Sequence, residues 1–188
     1  MDETTKRKGT RVAHHVVAGA LAAAAAIAAP NAVAAVDMFL KIGDIKGEST
    51  DDKHKGEIDV LAWSWGLGPK ASPGQKAGSN STCAQQLSLT KYVDSATPPL
   101  ITKAVLGATS GTAWLTVRKA GEKQPDYLTV ELNNVIVTSL STGGSGGEER
   151  LTENVSLSFA SATIKYKPQK ADGSLGDEVK AAIPASCP

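Results

Sequence analysis

Few side chains in this 188-residue chain could do chemistry, and their spacing limits what that chemistry would be. The histidines are His14, His15 and His54. The first two precede an apolar run near the N-terminus, and a single remaining imidazole cannot build a histidine-based metal cluster. His54 lies in the charged stretch DDKHKGE, whose ordinary fate is a solvated loop. A Ser-His-Asp triad would have to recruit His54, and no G-x-S-x-G elbow accompanies it. Cys83 and Cys187 stand too far apart to read as a zinc site. Asp51-Asp52 and Glu148-Glu149 are adjacent carboxylates. Neighbours on a strand point to opposite faces and neighbours in a loop repel, so solvated surface is their default. The glycines of STGGSGG (141–147) lack the Gly-Lys-Ser/Thr ending and the following helical pattern of a phosphate loop. Trp63 and Trp65 share one strand face; such a pair makes a ligand platform or, more commonly, a core or subunit contact. The residues therefore specify no catalytic constellation, no metal site and no cofactor site.

The elements around these residues follow from composition and pattern. Twenty Lys and Arg against nineteen Asp and Glu give a formal charge of +1. That balance argues against a nucleic-acid partner, which calls for a basic domain or stripe. With 41 % hydrophobic and 21 % charged residues the chain is not compositionally disordered. The length fits one domain.

The first 34 residues differ from the rest. Lys6, Arg7, Lys8 and Arg11 form a basic head, and VVAGALAAAAAIAA (16–29) is an uncharged run. Pro30 and Asn31 break it, and Ala32-Val33-Ala34 offers a small-x-small site. Together they describe a secretory signal peptide, 1–34, cleaved between Ala34 and Ala35. The run falls short of the ~20 residues of a bilayer-spanning helix, so no permanent membrane anchor is expected. Without an Arg-Arg pair, the general secretory route is expected. Sixteen basic and seventeen acidic residues remain in 35–188, a formal charge of −1. Localisation is accordingly periplasmic or secreted. In that oxidising setting Cys83 and Cys187 pair within the chain, closing a loop of about 100 residues worth ~4–5 kcal/mol on the chain-entropy model. Free thiols or an intermolecular bridge are the alternative.

The mature chain reads as mostly β. Val36, Met38, Leu40 and Ile42 alternate with polar positions, the period of a half-buried strand. IDVLAWSWG (58–66) places Leu61, Trp63 and Trp65 on one face and Ile58, Val60, Ala62 and Ser64 on the other. GLGPKASPGQKAGSNST (66–82) is a long loop rich in glycine and proline, of the kind that is functional or disordered. Leu87, Leu89 and Val93 mark a further strand. Thr97 reads as a helix cap followed by proline. Leu100, Ile101, Ala104 and Val105 form one helical stripe, ended by Gly107. Further alternation runs over 115–118, 127–132, 135–140 and 155–159, with a bulge expected at Asn133-Asn134 and another within 160–162. About seven short strands and one short helix predict a barrel or sandwich.

Several longer stretches carry a more specific signal. AVDMFLKIGDIKGES (35–49), EIDVLAWSWG (57–66), VRKAG (117–121), STGGSGGEERLTENVSLSFA (141–160) and YKPQKADG (166–173) resemble the hemolysin-coregulated protein (Hcp) family of type VI secretion systems. The resemblance implies, over 35–188, a compact β-barrel of two packed antiparallel sheets with one short α-helix. It implies a non-enzymatic tube subunit. Homo-hexameric rings stack into a tube, engage secretion-apparatus proteins and carry effector cargo. The loop at 66–82 sits where the family extends toward neighbouring subunits. The signal peptide, the 66–82 loop and the 84–113 region with Cys83 among them, and the tail after Gly173 depart from the family pattern. The alternative is an exported, Hcp-like binding or effector-associated protein that forms no tube. Within a ring, Leu61, Trp63 and Trp65 belong in the core or a tight subunit contact. Small Ser64, on the opposite face, is expected toward the lumen and its cargo.

Overall fold

A computed structural model describes residues 36–69, 82–119, 124–147 and 149–187. The expected signal segment, its Ala34–Ala35 cleavage site, Glu148 and the middle of the glycine- and proline-rich stretch lie outside the described residues. The described chain is mainly β, with one α-helix. Where alternation predicts about seven strands, eleven form: β1 (Val36–Ile42), β2 (Ile58–Ser64), β3 (Leu67–Pro69), β4 (Thr82–Ala84), β5 (Leu87–Tyr92), β6 (Ala113–Lys119), β7 (Asp126–Asn133), β8 (Ile136–Gly143), β9 (Thr152–Ser158), β10 (Ser161–Tyr166) and β11 (Val179–Ile183). Helix α1 (Thr97–Leu106) lies between β5 and β6. Alternation does not mark β3 and β4, which are too short to show a period, or β11, which buries only Ile183.

Nine strands are joined in the order β11-β10-β7-β6-β1-β2-β5-β9-β8, all neighbours antiparallel. The link in the middle is thin: β1 and β2 share only the pairs Phe39↔Asp59 and Leu40↔Ile58. The sheet divides there into a half ending in β11 and a half ending in β8. One apolar cluster joins them. Leu40, Ile42, Leu115, Val130 and Leu132 come from the first half, and Ile58, Leu87, Leu89, Val155 and Leu157 from the second. Burying a leucine side chain stabilises by ~1.5–3 kcal/mol, so this two-sided core outweighs any local propensity.

The chain passes between halves at two places where bulges were expected. At Asn133-Asn134 there is no bulge within one strand; β7 ends, Asn134 turns with φ +51°, and β8 starts in the other half. Asparagine tolerates this left-handed conformation. At 159–160 the chain leaves β9 and enters β10 of the first half, and this changes the side-chain parity without a bulge.

Helix α1 also differs from expectation in detail. Its cap residue is Ala96, without a side-chain cap bond, and Thr97 is already helical. Asp94 accepts the Ala96 N–H instead (2.9 Å). Gly107 ends the helix at φ +57°, a conformation costing other residues about 1 kcal/mol. Only part of the expected stripe is covered: Leu100 is fully buried, whereas Ile101 and Val105 are exposed.

Candidate functional site

Ser64 stands at the end of β2, a strand that changes face halfway. Ile58 and Val60 are buried in the core, the reverse of the face expected to be open. A register shift against β5 falls between Val60 and Ala62. Beyond it the parity inverts. Leu61 is 39 % exposed, which takes it out of the core, one of its two expected placements. Trp63 and Trp65 are half-buried and pack against the core, and Ser64 is exposed. Uniform alternation across IDVLAWSWG could not reveal this shift, because both faces carry apolar residues.

Ser64 borders a shallow depression of about 180 Å³ with Trp63, Ser88, Leu89, Thr90 and Asn154. Cross-strand bonds tile the surface around it. Thr90 Oγ1 donates to Asn154 Oδ1 (2.7 Å), Ser88 and Ser156 hydroxyls meet at 3.4 Å, and Thr138 Oγ1 donates to Gln86 Oε1 (2.8 Å). These hydroxyl and amide groups carry no charge. The charged members of the same strands point inward. Lys91 and Glu153 are fully buried and paired at 2.7 Å. Lys91 Nζ also donates to Asp94 Oδ1 (2.7 Å), and Thr97 Oγ1 donates to Glu153 Oε1 (2.8 Å). The sequence held the signal for this pair. Lys91 continues the inward parity of Leu87 and Leu89, and Glu153 that of Val155 and Leu157.

A second polar cluster ties the 46–57 loop to β1, β6 and β7. Arg118, 2 % exposed, donates to Asp51 and, at 2.9 Å, to Gln124 Oε1. The guanidinium also lies 5.1 Å from the Phe39 ring centroid, within cation–π range. Burial pushes the Asp51 carboxyl up, but N–H donors from Lys53 and His54, with Arg118, outweigh it and hold the group below its ordinary value. Asp51 is thus no solvated loop carboxylate. His54 is likewise buried, contrary to its expected solvation, and stacks on Phe39 with centroids 4.3 Å apart. Its ring nitrogens lie 2.9 Å from Glu57 Oε2 and 3.3 Å from Asp126 Oδ1. Both nitrogens are engaged by carboxylates, so His54 anchors the loop and activates no hydroxyl or thiol. Among the described residues, no three His, Cys, Asp or Glu side chains are grouped to hold a metal ion.

The third feature is covalent. Cys83 in β4 is bonded to Cys187, with Cα atoms 5.1 Å apart across 104 residues of sequence. β3 and β4 form a separate two-stranded ribbon, the paired ends of the glycine- and proline-rich stretch.

The two half-sheets around one core, with a single helix beside them, have counterparts among solved type VI secretion proteins. The crystal structure of Hcp1 from Salmonella typhimurium superposes with TM-score 0.67 at 34 % identity, covering 79 % of this chain and 93 % of that one. A structure described as a type six secretion system protein gives TM-score 0.71 at 29 % identity, with the same coverage. Protein hcp1 of Pseudomonas aeruginosa is 54 % identical over 142 residues, 74 % of this chain and 88 % of that protein. Residues 39–166 match the family described as "Type VI secretion system effector, Hcp". The chain belongs to this Hcp family.

Proposed function

We propose that this chain is a non-enzymatic structural subunit that assembles into hexameric rings, stacked as a tube that carries effectors. The observation that carries this reading is the pair of terminal strands, whose outer edges pair with no further described strand, β8 being touched there only by the Ile136–Thr109 bridge and by helix α1. Among the described strands β11 pairs only with β10, and β8 only with β9. The two edges are different surfaces, so joining them between copies is a head-to-tail contact, the kind that closes rings. It also covers edges that otherwise invite aggregation. In this reading Ser64 and the neutral face beside it line the lumen and meet cargo.

Size-exclusion chromatography with light scattering on residues 35–188 tests the assembly. A stable hexamer supports the ring. A monomer at high concentration sinks it and favours the second reading, an exported Hcp-like binding protein. The Cys83–Cys187 bridge is the observation that favours the latter, since such bonds persist in oxidising compartments. In either case residues 1–34 act as an export signal. N-terminal sequencing of exported protein should read Ala-Val-Asp-Met-Phe; a Met1 start in the periplasm would overturn the cleavage.

A further inference from the structure

The β3–β4 ribbon has little of its own to hold it. Each strand has three residues, and the ribbon stands outside the nine-stranded sheet. A two-stranded ribbon gains little stability of its own in water, even when longer. At its base it continues the β2–β5 hairpin, where the Gln85 N–H donates to the Gly66 carbonyl (2.8 Å), and beyond that it meets segment 184–187 through Ala84, which is fully buried. The Ala84 N–H donates to the Ala185 carbonyl (3.0 Å), and the Cys187 N–H donates to the Ala84 carbonyl (2.7 Å). Segment 184–187 is held in turn through Ser186, whose N–H donates to the Phe159 carbonyl (3.0 Å) and whose Oγ accepts the Phe159 N–H (3.1 Å). Ribbon and segment therefore share one seam of few hydrogen bonds, at the low-stability end of any fold. The Cys83–Cys187 bond lies across that seam.

From this arrangement we infer that the bridge is a redox latch. Closed, it fixes β3–β4 and segment 184–187 against the barrel. Open, both leave the seam while the nine-stranded sheet stays folded. The inference does not depend on ring formation.

The chemistry is thiol–disulfide exchange. One cysteine thiolate attacks the disulfide of an oxidised dithiol protein, forming a mixed disulfide and releasing one donor thiolate. The second cysteine thiolate attacks the mixed disulfide at the sulfur of the first, forming Cys83–Cys187 and releasing the donor's other thiolate. Two electrons pass to the donor, and the two protons of the cysteine thiols end on the donor's sulfurs. A small dithiol reverses the sequence. A reducing compartment thus opens the seam and an oxidising one closes it.

Hydrogen-exchange mass spectrometry on residues 35–188 tests the latch in three samples: oxidised, reduced in place with dithiothreitol, and the Cys83→Ser/Cys187→Ser variant. Peptides covering 82–87 and 184–187 are expected to exchange at least about tenfold faster in the second and third samples, while those covering Leu115 and Val155 keep their protection. Equal protection of 82–87 in all three samples would show that hydrogen bonds alone close the seam and would overturn the latch. Loss of protection across β6 and β9 as well would also overturn it, because the bridge would then hold the whole fold.

Discussion

Arg118 is the largest of the fully buried side chains, and its partners come from separate parts of the chain. Asp51 supplies the carboxylate from the 46–57 loop, and Gln124 the amide just before β7. Removing the Asp51 charge leaves the guanidinium buried with Gln124 and with Asp37 at 3.8 Å. Asp51→Asn is expected to cost roughly 2–3 kcal/mol near neutral pH, below the ~3–5 of a broken, fully buried pair, because those two groups remain. The pH dependence has a definite sign. The folded-state pKa of Asp51 is depressed, so its stabilisation is present above the ordinary carboxylate value. It is lost as pH falls through the folded pKa. Urea midpoints of wild type and variant should differ at about pH 6 and converge below about pH 4. A gap that stays constant across that range would detach Asp51 from the acid limb.

The two faces of β2 give a second test at this scale. Ser64 is exposed, so Ser64→Gln should change folding stability by less than ~0.5 kcal/mol. Trp63 is only half-buried, and Trp63→Ala should cost roughly 2–3 kcal/mol, short of the ~3–5 for emptying a fully buried aromatic site. Thermal unfolding of both variants reads this directly. A larger loss from Ser64→Gln than from Trp63→Ala would invert the faces.

At the scale of elements, helix α1 is tied to the second half-sheet by a polar junction as well as by Leu100. The Thr97 hydroxyl donates to Glu153 and accepts from the Asp94 N–H (3.2 Å) and from Lys91 (3.3 Å). Thr97→Val keeps the shape and removes the hydroxyl. It should cost about 1–3 kcal/mol in urea unfolding, because buried partners lose their bonds. A change within ~0.5 kcal/mol would place the attachment in apolar packing alone. Thr97 also illustrates what sequence reading can and cannot reach. The proline after it and Gly107 mark the helix ends correctly to within a residue. The hydroxyl's partner is 56 residues away in β9, and no local rule points to it. The same limit explains His54 and Asp51. Their loop is locally as polar as any solvated one, and only folding brings Phe39 and Arg118 beneath it. Strands β1, β5, β7 and β9 were legible because one face of each meets the core. The parity change in β2 was not, because a register shift between strands leaves no mark in composition. Ser64's exposure was legible for the wrong reason: its face is open only beyond the shift.

At the scale of the whole molecule, the disulfide joins positions separated by 104 residues, almost the full span from the β3–β4 ribbon to the segment after β11. Two mechanisms could give such a bond thermodynamic weight. If it acted only by preserving the seam around Ala84, its loss would remove a few hydrogen bonds and leave the unfolded ensemble unchanged. If it acts on the unfolded chain, cutting it releases a loop of about 100 residues, and the denatured state expands. The second term dominates for so long a loop, with losses of native bridges typically ~2–5 kcal/mol. The two mechanisms differ in the slope of denaturant unfolding, which follows the surface newly exposed. The Cys83→Ser/Cys187→Ser variant should therefore show a lower urea midpoint and also a steeper slope, because its unfolded chain is more open than the cross-linked one. A lower midpoint at unchanged slope would assign the stabilisation to the native seam instead.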